Sequence, residues 1–227
     1  QPIALELPAG QAVKFQTMLH QTWQTTLKQL ERRFTAETYH NRIEAIRQQT
    51  GDVQQQALIE LTQEGEELDL KLISRNDEHC FIPVQYVDDK VLEMTQADIN
   101  ALSSKERSEI NANIRHMDKK LERLGMHLGD LEEDARDKVQ VLNRDIAKQV
   151  LLPKVEQLLT KFAEVEGLKD YLKYYAEDII NNVEVVLEQE EDDFTPGLFS
   201  RIPSRYQANV VVSHKPNAGA PVIFEDF

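Results

Sequence analysis

The apolar positions of this chain change period several times, and each change marks an element. At the start, Ile3, Leu5 and Leu7 alternate with Ala4 and Glu6, the two-residue period of a short strand, and Pro8 with Gly10 closes it. From Gln11 the apolar residues recur at three and four: Phe15, Leu19, Trp23, Leu27, Leu30 and Phe34 fall on one face of a helix. Thr35 is placed to cap a second helix, because its hydroxyl can accept from the free amides of a first turn, and Glu37 suits that turn's positive field. Tyr39, Ile43, Ile46, Val53, Ala57 and Leu61 continue as the stripe of that helix, with Gly51 as a candidate kink.

Around Leu68 the period returns to two. Leu68, Leu70 and Leu72, a polar turn from Arg75 to His79, and apolar Cys80 to Val84 predict a β-hairpin at about residues 68–86, with Pro83 best placed on an unpaired edge. A two-stranded ribbon is marginal alone, so it must lean on a helix or another sheet. Thr95 and either Ser103 or Ser104 are successive N-cap candidates in "MTQADINALSSKERSEI".

A much longer element follows. No proline occurs from about Lys105 to Leu152, and Ile110, Ile114, Met117, Leu121, Leu124, Leu128 and Leu131 step by four and three, a heptad seam. The seam loosens through Ala135, Val139, Leu142, Ile146 and Val150 towards the straight-helix period. A helix of about 48 residues would be about 70 Å long at 1.5 Å per residue. Its stripe must be covered by another helix or another chain, and the helices of the first seventy residues are the natural partners. Pro153 is expected to end or bend it, and Leu168 to Gln189 supplies a further helix with a broader apolar face. Acidic Glu188 to Asp193 and Pro196-Gly197 form a boundary, after which Arg205 to Phe227 carries a β-branched, strand-like run.

Composition narrows the partners. The 227 residues include 26 basic and 40 acidic side chains, a formal charge of −14, which disfavours a nonspecific grip on nucleic acid or anionic lipid. Cys80 is alone, so no internal disulfide and no cysteine-based zinc site can form. No apolar stretch approaches the roughly 20 residues needed to cross a bilayer, and "QPIALELPAG" lacks the pattern of a signal peptide. A soluble, cytoplasmic protein with no membrane partner is expected.

Candidate chemistry is sparse. There is no Gly-rich phosphate loop, no Gly-x-Ser-x-Gly elbow and no His-Glu-x-x-His helix. His20, His40, His79, His116, His127 and His214 make no ligand pair on a helix face, and the acidic run at 188–193 lacks the alternating oxygens and glycine of a calcium loop. Cys80 reads as a small half-buried apolar residue, since no basic cluster or helix start would activate its thiol. Tyr171, Tyr174 and Tyr175 have the spacing of a packed helix face. Glu225 and Asp226, at the end of "PVIFED", superficially suit a Walker-B site, but only three apolar residues precede them. No residue is assigned as catalytic, cofactor-binding or metal-binding.

The two ends carry a family resemblance. "ALELPAGQAVKF" near the start, with "RYQANVVV" and "GAPVIFED" near the end, resembles the Lon-related ATP-dependent proteases that carry a large helical insertion in their AAA+ module. The intervening hairpin and "MTQADINALSSKERSEI" before a long helix are similar to that family too. The fold then implied is mainly α: long antiparallel coiled-coil-like helices with a small β-hairpin, flanked by short strands of an AAA+ core. Residues 1–10 would be a core strand, 11–193 a helical insertion, 194–204 a linker and 205–227 a returning core strand.

By the same resemblance the chain is an internal fragment, inactive by itself and holding no cofactor. The parent would be a ring-forming, homo-oligomeric, cytoplasmic serine endopeptidase, with its Ser/Lys dyad outside this chain and ATP and magnesium as its cofactors. Glu225 and Asp226 would match a family motif other than Walker-B. The helices would engage or gate unfolded or damaged protein substrates at the ring's entrance. The rival expectation is a stand-alone coiled-coil interaction or scaffold protein, homodimeric through the seam from Ile110 to Leu131.

Overall fold

Three-and-four spacing becomes helix along most of the chain. A computed structural model describes residues 3–75, 78–88, 90–188 and 206–213. In chain order the elements are α1 (Ala12–Phe34), α2 (Glu37–Glu66), β1 (Leu70–Arg75), β2 (Glu78–Val87), β3 (Lys90–Glu93), α3 (Gln96–Ala101), α4 (Ser104–Lys161), α5 (Leu168–Asn181) and α6 (Val183–Glu188). The protein is mainly α with one small antiparallel sheet, strand order β1-β2-β3. It divides into two compact units, residues 1–41 with 140–227, and residues 42–139.

The first unit is built on α1, the later part of α4, and α5. Phe15, Leu19 and Trp23 of α1 bury against Leu151 and Leu158 of α4 and Leu172 of α5. Pro153 was expected to end or bend α4; it does not end it, and this core explains why. A proline inside a helix costs about 3 kcal/mol. Val155, Leu158 and Phe162 lie beyond it and are all buried, each contributing roughly 1.5–3 kcal/mol, so continuing the helix is favoured.

Ends are set by side chains. Thr35 turns out to close α1 rather than open α2: its hydroxyl donates to the Glu31 carbonyl at 2.8 Å, an acceptor within its own last turn. The helix expected over Leu168 to Gln189 is interrupted at Asn182, the C-cap of α5, whose Nδ2 donates to the Asp178 carbonyl at 2.7 Å; Gln189 lies outside the described residues. Residues 3–8 and 206–213 carry no strand. A strand needs a ladder partner, and these residues instead lend single side chains to the helical core: Leu5, Leu7, Tyr206 and Ala208.

In the second unit, α2 runs unbroken through Gly51. Its half-buried face is Ile43, Ile46, Thr50, Gln54 and Ala57, ending in buried Leu61 and Gly65. Val53, expected in the stripe, is exposed, because the four-residue step from Thr50 brings Gln54 inward instead. On α4, Met117 is buried and Ile114, Leu121 and Leu124 pack with it against Leu61, Leu70 and Phe81. Leu128 and Leu131 continue the half-buried seam, and a Glu64–Lys120 ion pair ties α2 to α4.

The expected hairpin is a three-stranded meander. β2 pairs with β1 over Leu70↔Pro83 to Arg75↔Glu78, then with β3 over Val84↔Glu93 to Val87↔Lys90. Pro83 therefore lies in the central strand, not on an edge. The central position is tolerable because the two ladders change over there: Val84 N–H donates to Asp69 on one side, and Met94 N–H donates to the Pro83 carbonyl on the other. The bond that proline cannot return is the last of the β2·β3 ladder. Two residues separate Val87 from Lys90, and Asp88 has φ 49°, the left-handed backbone that a two-residue hairpin turn demands.

Thr95 caps α3 in a reciprocal box with Asp98, and Ser103, rather than Ser104, does the same for α4 with Glu106. The Thr95 hydroxyl and amide hold the Asp98 carboxyl below its usual range, and Ser103 does likewise for Glu106. Lowered folded values mean that this contribution is present above the ordinary carboxylate range, near pH 4, and fades as pH falls through the lowered value. The stability difference between the wild-type chain and Ser103→Ala should therefore be constant at neutral pH and shrink in acid, as read by thermal unfolding at a series of pH values.

Gly65 has a different necessity. A Cβ there would lie 2.4 Å from the Phe81 ring, whereas one at Gly51, Gly125 or Gly129 would meet nothing within 4 Å. Gly65→Ala is expected to destabilise by about 1–3 kcal/mol through overpacking. Alanine at Gly51, Gly125 or Gly129 should stabilise by roughly 0.5–1 kcal/mol each. Urea unfolding of the four single variants checks both signs, and Phe81→Leu should relieve most of the Gly65→Ala defect.

Candidate polypeptide-engaging surface

The chemically interesting residues of the sequence do not converge. His20 Nε2 lies 2.9 Å from Gln24 Nε2 one turn along α1, His40 stands edge-on to Tyr39, and His79, His116 and His127 are exposed. No group of three or more His, Cys, Asp or Glu suited to a metal occurs among the described residues. Cys80 is half-buried in β2 opposite Ile73. His214, Glu225 and Asp226, with most of the acidic run at 188–193, lie outside the described residues. A concavity of about 500 Å³ is lined by Pro153, Glu156, Gln157, Thr160 and Lys161, all on α4, and so is a shelf on one helix.

Two arrangements in the first unit, one polar and one aromatic, escaped the sequence reading. Asn143 is buried and bridges two elements: it accepts from the Tyr39 hydroxyl at 3.0 Å and donates to Glu184 at 2.7 Å. Satisfied on both sides, it fixes the helix register around it. The signal was an asparagine four residues after Val139 and four before Ala147, on the buried face of α4.

The second is aromatic. Trp23 stacks on Tyr206 with centroids 4.9 Å apart, and Tyr206 meets Tyr175 edge-on at 5.8 Å. Tyr171 and Tyr175 are packed, as their spacing suggested, while Tyr174 points to solvent. Burial pushes the Tyr175 phenol far up, with Tyr171 and Tyr206 adding to the effect, and burial likewise raises Tyr171. Lys154, partly buried beside Gln29 and the Val150 carbonyl, is held below its ordinary value by desolvation.

The surface best suited to meeting another molecule lies on the meander in the second unit. Tyr86 is 58% exposed, Val91 49%, Leu92 45% and Val87 43%. Tyr86 sits directly opposite Val91, and alternation sends Val87 and Leu92 to the other face. The end of the β2–β3 ribbon is thus apolar on both faces and wet on both. β3 is also an edge strand with one side unpaired by any described residue. Proteins usually blunt such edges with charge or proline; here Lys90 and Glu93 flank the strand, but its two middle positions are Val91 and Leu92. Glu93 is drawn towards Lys71 at 4.0 Å and Arg75 at 3.7 Å, exposed pairs that contribute little to stability. An open edge with apolar side chains can pair with an extended chain and hold its hydrophobic residues.

No protein-family model, curated protein or solved structure matches this chain. Among the described residues no helix is long and apolar enough to cross a membrane.

Replacing Tyr86 and Leu92 together by serine should at least halve the fluorescence of a bound hydrophobic dye. The thermal midpoint should change little, because both side chains are exposed.

Proposed function

We propose that this chain is the non-catalytic helical region of a Lon-like ATP-dependent serine protease, and that it engages unfolded polypeptide on the way into the proteolytic ring. The reading joins two supports of different kinds. One is the resemblance carried by "ALELPAGQAVKF", "RYQANVVV" and "GAPVIFED". The other, and the observation that carries the engagement role, is the open edge of β3 with Tyr86, Val87, Val91 and Leu92 exposed around it. A protease that accepts many unfolded substrates needs contacts that read backbone and general hydrophobicity, and an apolar strand edge offers both. Peptide hydrolysis, nucleotide binding and ring assembly would belong to parts of the parent outside this chain, with ATP and magnesium bound there.

The chain should bind a permanently unfolded, reduced and carboxymethylated protein, measured by fluorescence anisotropy, and the serine pair at Tyr86 and Leu92 should weaken binding by about tenfold or more. A folded chain with no affinity for that probe would sink the engagement role. The family reading has a separate check in the coding sequence on either side, where a Gly-x-x-x-x-Gly-Lys-Ser/Thr loop upstream and a Ser/Lys protease domain downstream are expected.

The rival homodimer needs the α4 seam to be free. Leu121 and Leu124 instead pack within the chain against the Leu61–Phe81 cluster. Sedimentation over a wide concentration range should show a monomer. Leu121→Asp should lower the unfolding midpoint without changing sedimenting mass, whereas a tight dimer broken by this substitution would favour the scaffold reading.

A further inference from the structure

Within residues 42–139, the solvent face of α4 carries its charges in a sorted order. Met126 lies nine residues, two and a half turns, from buried Met117, so it stands directly opposite the packed stripe, and it is 61% exposed. Arg115, Lys119 and Arg123 precede it and Asp130, Glu133 and Asp137 follow it, at steps of four and three that keep all six on its side of the helix. All six are exposed. Asp118, Asp134 and Arg136 lie to either side of this row.

The order works against the helix taken alone. Arg115, Lys119 and Arg123 are like charges at successive four-residue steps, and so are Glu133 and Asp137, a spacing that destabilises an isolated helix. The ion pairs that α4 does make, Glu64–Lys120 and Asp145–Lys148, use other positions. None of the six side chains is paired with another described residue.

Reversed, the row complements itself. Laid antiparallel on a second copy about a two-fold axis level with Met126, Lys119 meets Glu133, each seven residues from the centre, and Arg115 meets Asp137, each eleven residues from it. Arg123 falls beside Asp130. Glu122, the carboxylate nearest the row in its basic half, falls opposite Gly129, which has no side chain to repel it and open space above it. A parallel arrangement in register would instead set like against like along the whole row.

We propose that this face of α4, centred on Met126, docks on the same face of a second copy of the chain, with Arg115, Lys119 and Arg123 held antiparallel against Asp137, Glu133 and Asp130. Met126 meets its own counterpart at the centre, where an unbranched side chain adapts readily. Exposed ion pairs are individually weak and screened by salt, so free chains stay monomeric. The contact acts between copies held close together, where the effective concentration is on the order of millimolar. It uses the side of α4 opposite the seam from Ile110 to Leu131 and rests neither on the β3 edge nor on the family reading.

Disulfide trapping reads so weak a contact. With Cys80→Ala throughout, the full chain carrying Met126→Cys should form a linked dimer under mild oxidation at low salt at least about fivefold faster than one carrying Ser108→Cys. Ser108 is exposed on the same side of α4 but eighteen residues from the centre, too far from its own counterpart to link. Salt at about 0.5 M should remove the difference. With Met126→Cys in place, Lys119→Glu with Arg123→Glu should slow trapping at least about fivefold, and so should Asp130→Lys with Glu133→Lys. Mixing these two variants, one of them tagged, should restore fast trapping as a mixed dimer, because each reversed half then meets its complement. The substituted charges are all exposed, and circular dichroism checks that each variant stays helical. Equal trapping at Met126 and Ser108, or a mixture no faster than its components, would overturn the proposal. Tyr86→Ser with Leu92→Ser should leave trapping unchanged; a loss would move the contact to the sheet and overturn it too.

Discussion

An apolar stripe along α4 must be kept from water over its whole length, and the rest of the architecture answers to that requirement. Within 42–139 the stripe at Met117 and Leu121 is met by Leu61, Leu70 and Phe81, from the end of α2 and the sheet. Within the other unit, Ala147, Leu151 and Leu158 are met by α1 and α5. A helix this long gains little from propensity, so its persistence is a matter of successive partners. The same requirement explains Pro153: a local rule is overridden where enough buried side chains lie beyond it.

The contacts that choose register are polar or small rather than large and apolar. Thr50, Gln54 and Ala57 interrupt the α2 face, and Asn143 sits buried between Tyr39 and Glu184. Leucine-rich seams can slide by a heptad at little cost, whereas a buried amide with two specific partners has one satisfactory position. Gly65 acts by a different means, since the absence of a side chain lets the Phe81 ring approach the helix.

Much of this was legible in the chain. The heptad steps from Ile110 to Leu131, the stripe from Phe15 to Phe34 and the capping signal at Thr95 correspond to observed elements, because each rests on near-neighbour geometry. What escaped depended on tertiary partners or on short-range rivals. Thr35 found an acceptor four residues back instead of a donor ahead. β3 was missed although "VDDK" between alternating residues is a two-residue turn pattern, because Lys90 to Glu93 is too short to show a period. The candidate surface was invisible for a related reason: Tyr86, Val91 and Leu92 look like ordinary strand residues until one knows that nothing described covers them. Tyr206 was assigned to a strand, and its place beside Trp23 spans far too many residues for any spacing rule.

The ladder pattern of β3 bears on how long anything stays attached to it. Met94 N–H donates to Pro83, so alternation turns the backbone groups of Leu92 and Lys90 towards β2 and leaves those of Val91 and Glu93 facing outward. An added strand therefore finds at most two amides and two carbonyls. At a net 0.5–1.5 kcal/mol per bond, this is roughly 2–6 kcal/mol before any side-chain contact, which corresponds to a Kd between roughly tens of millimolar and tens of micromolar on its own. Such a contact discriminates little between sequences and lets go quickly, so any chain held there would be handed on rather than stored.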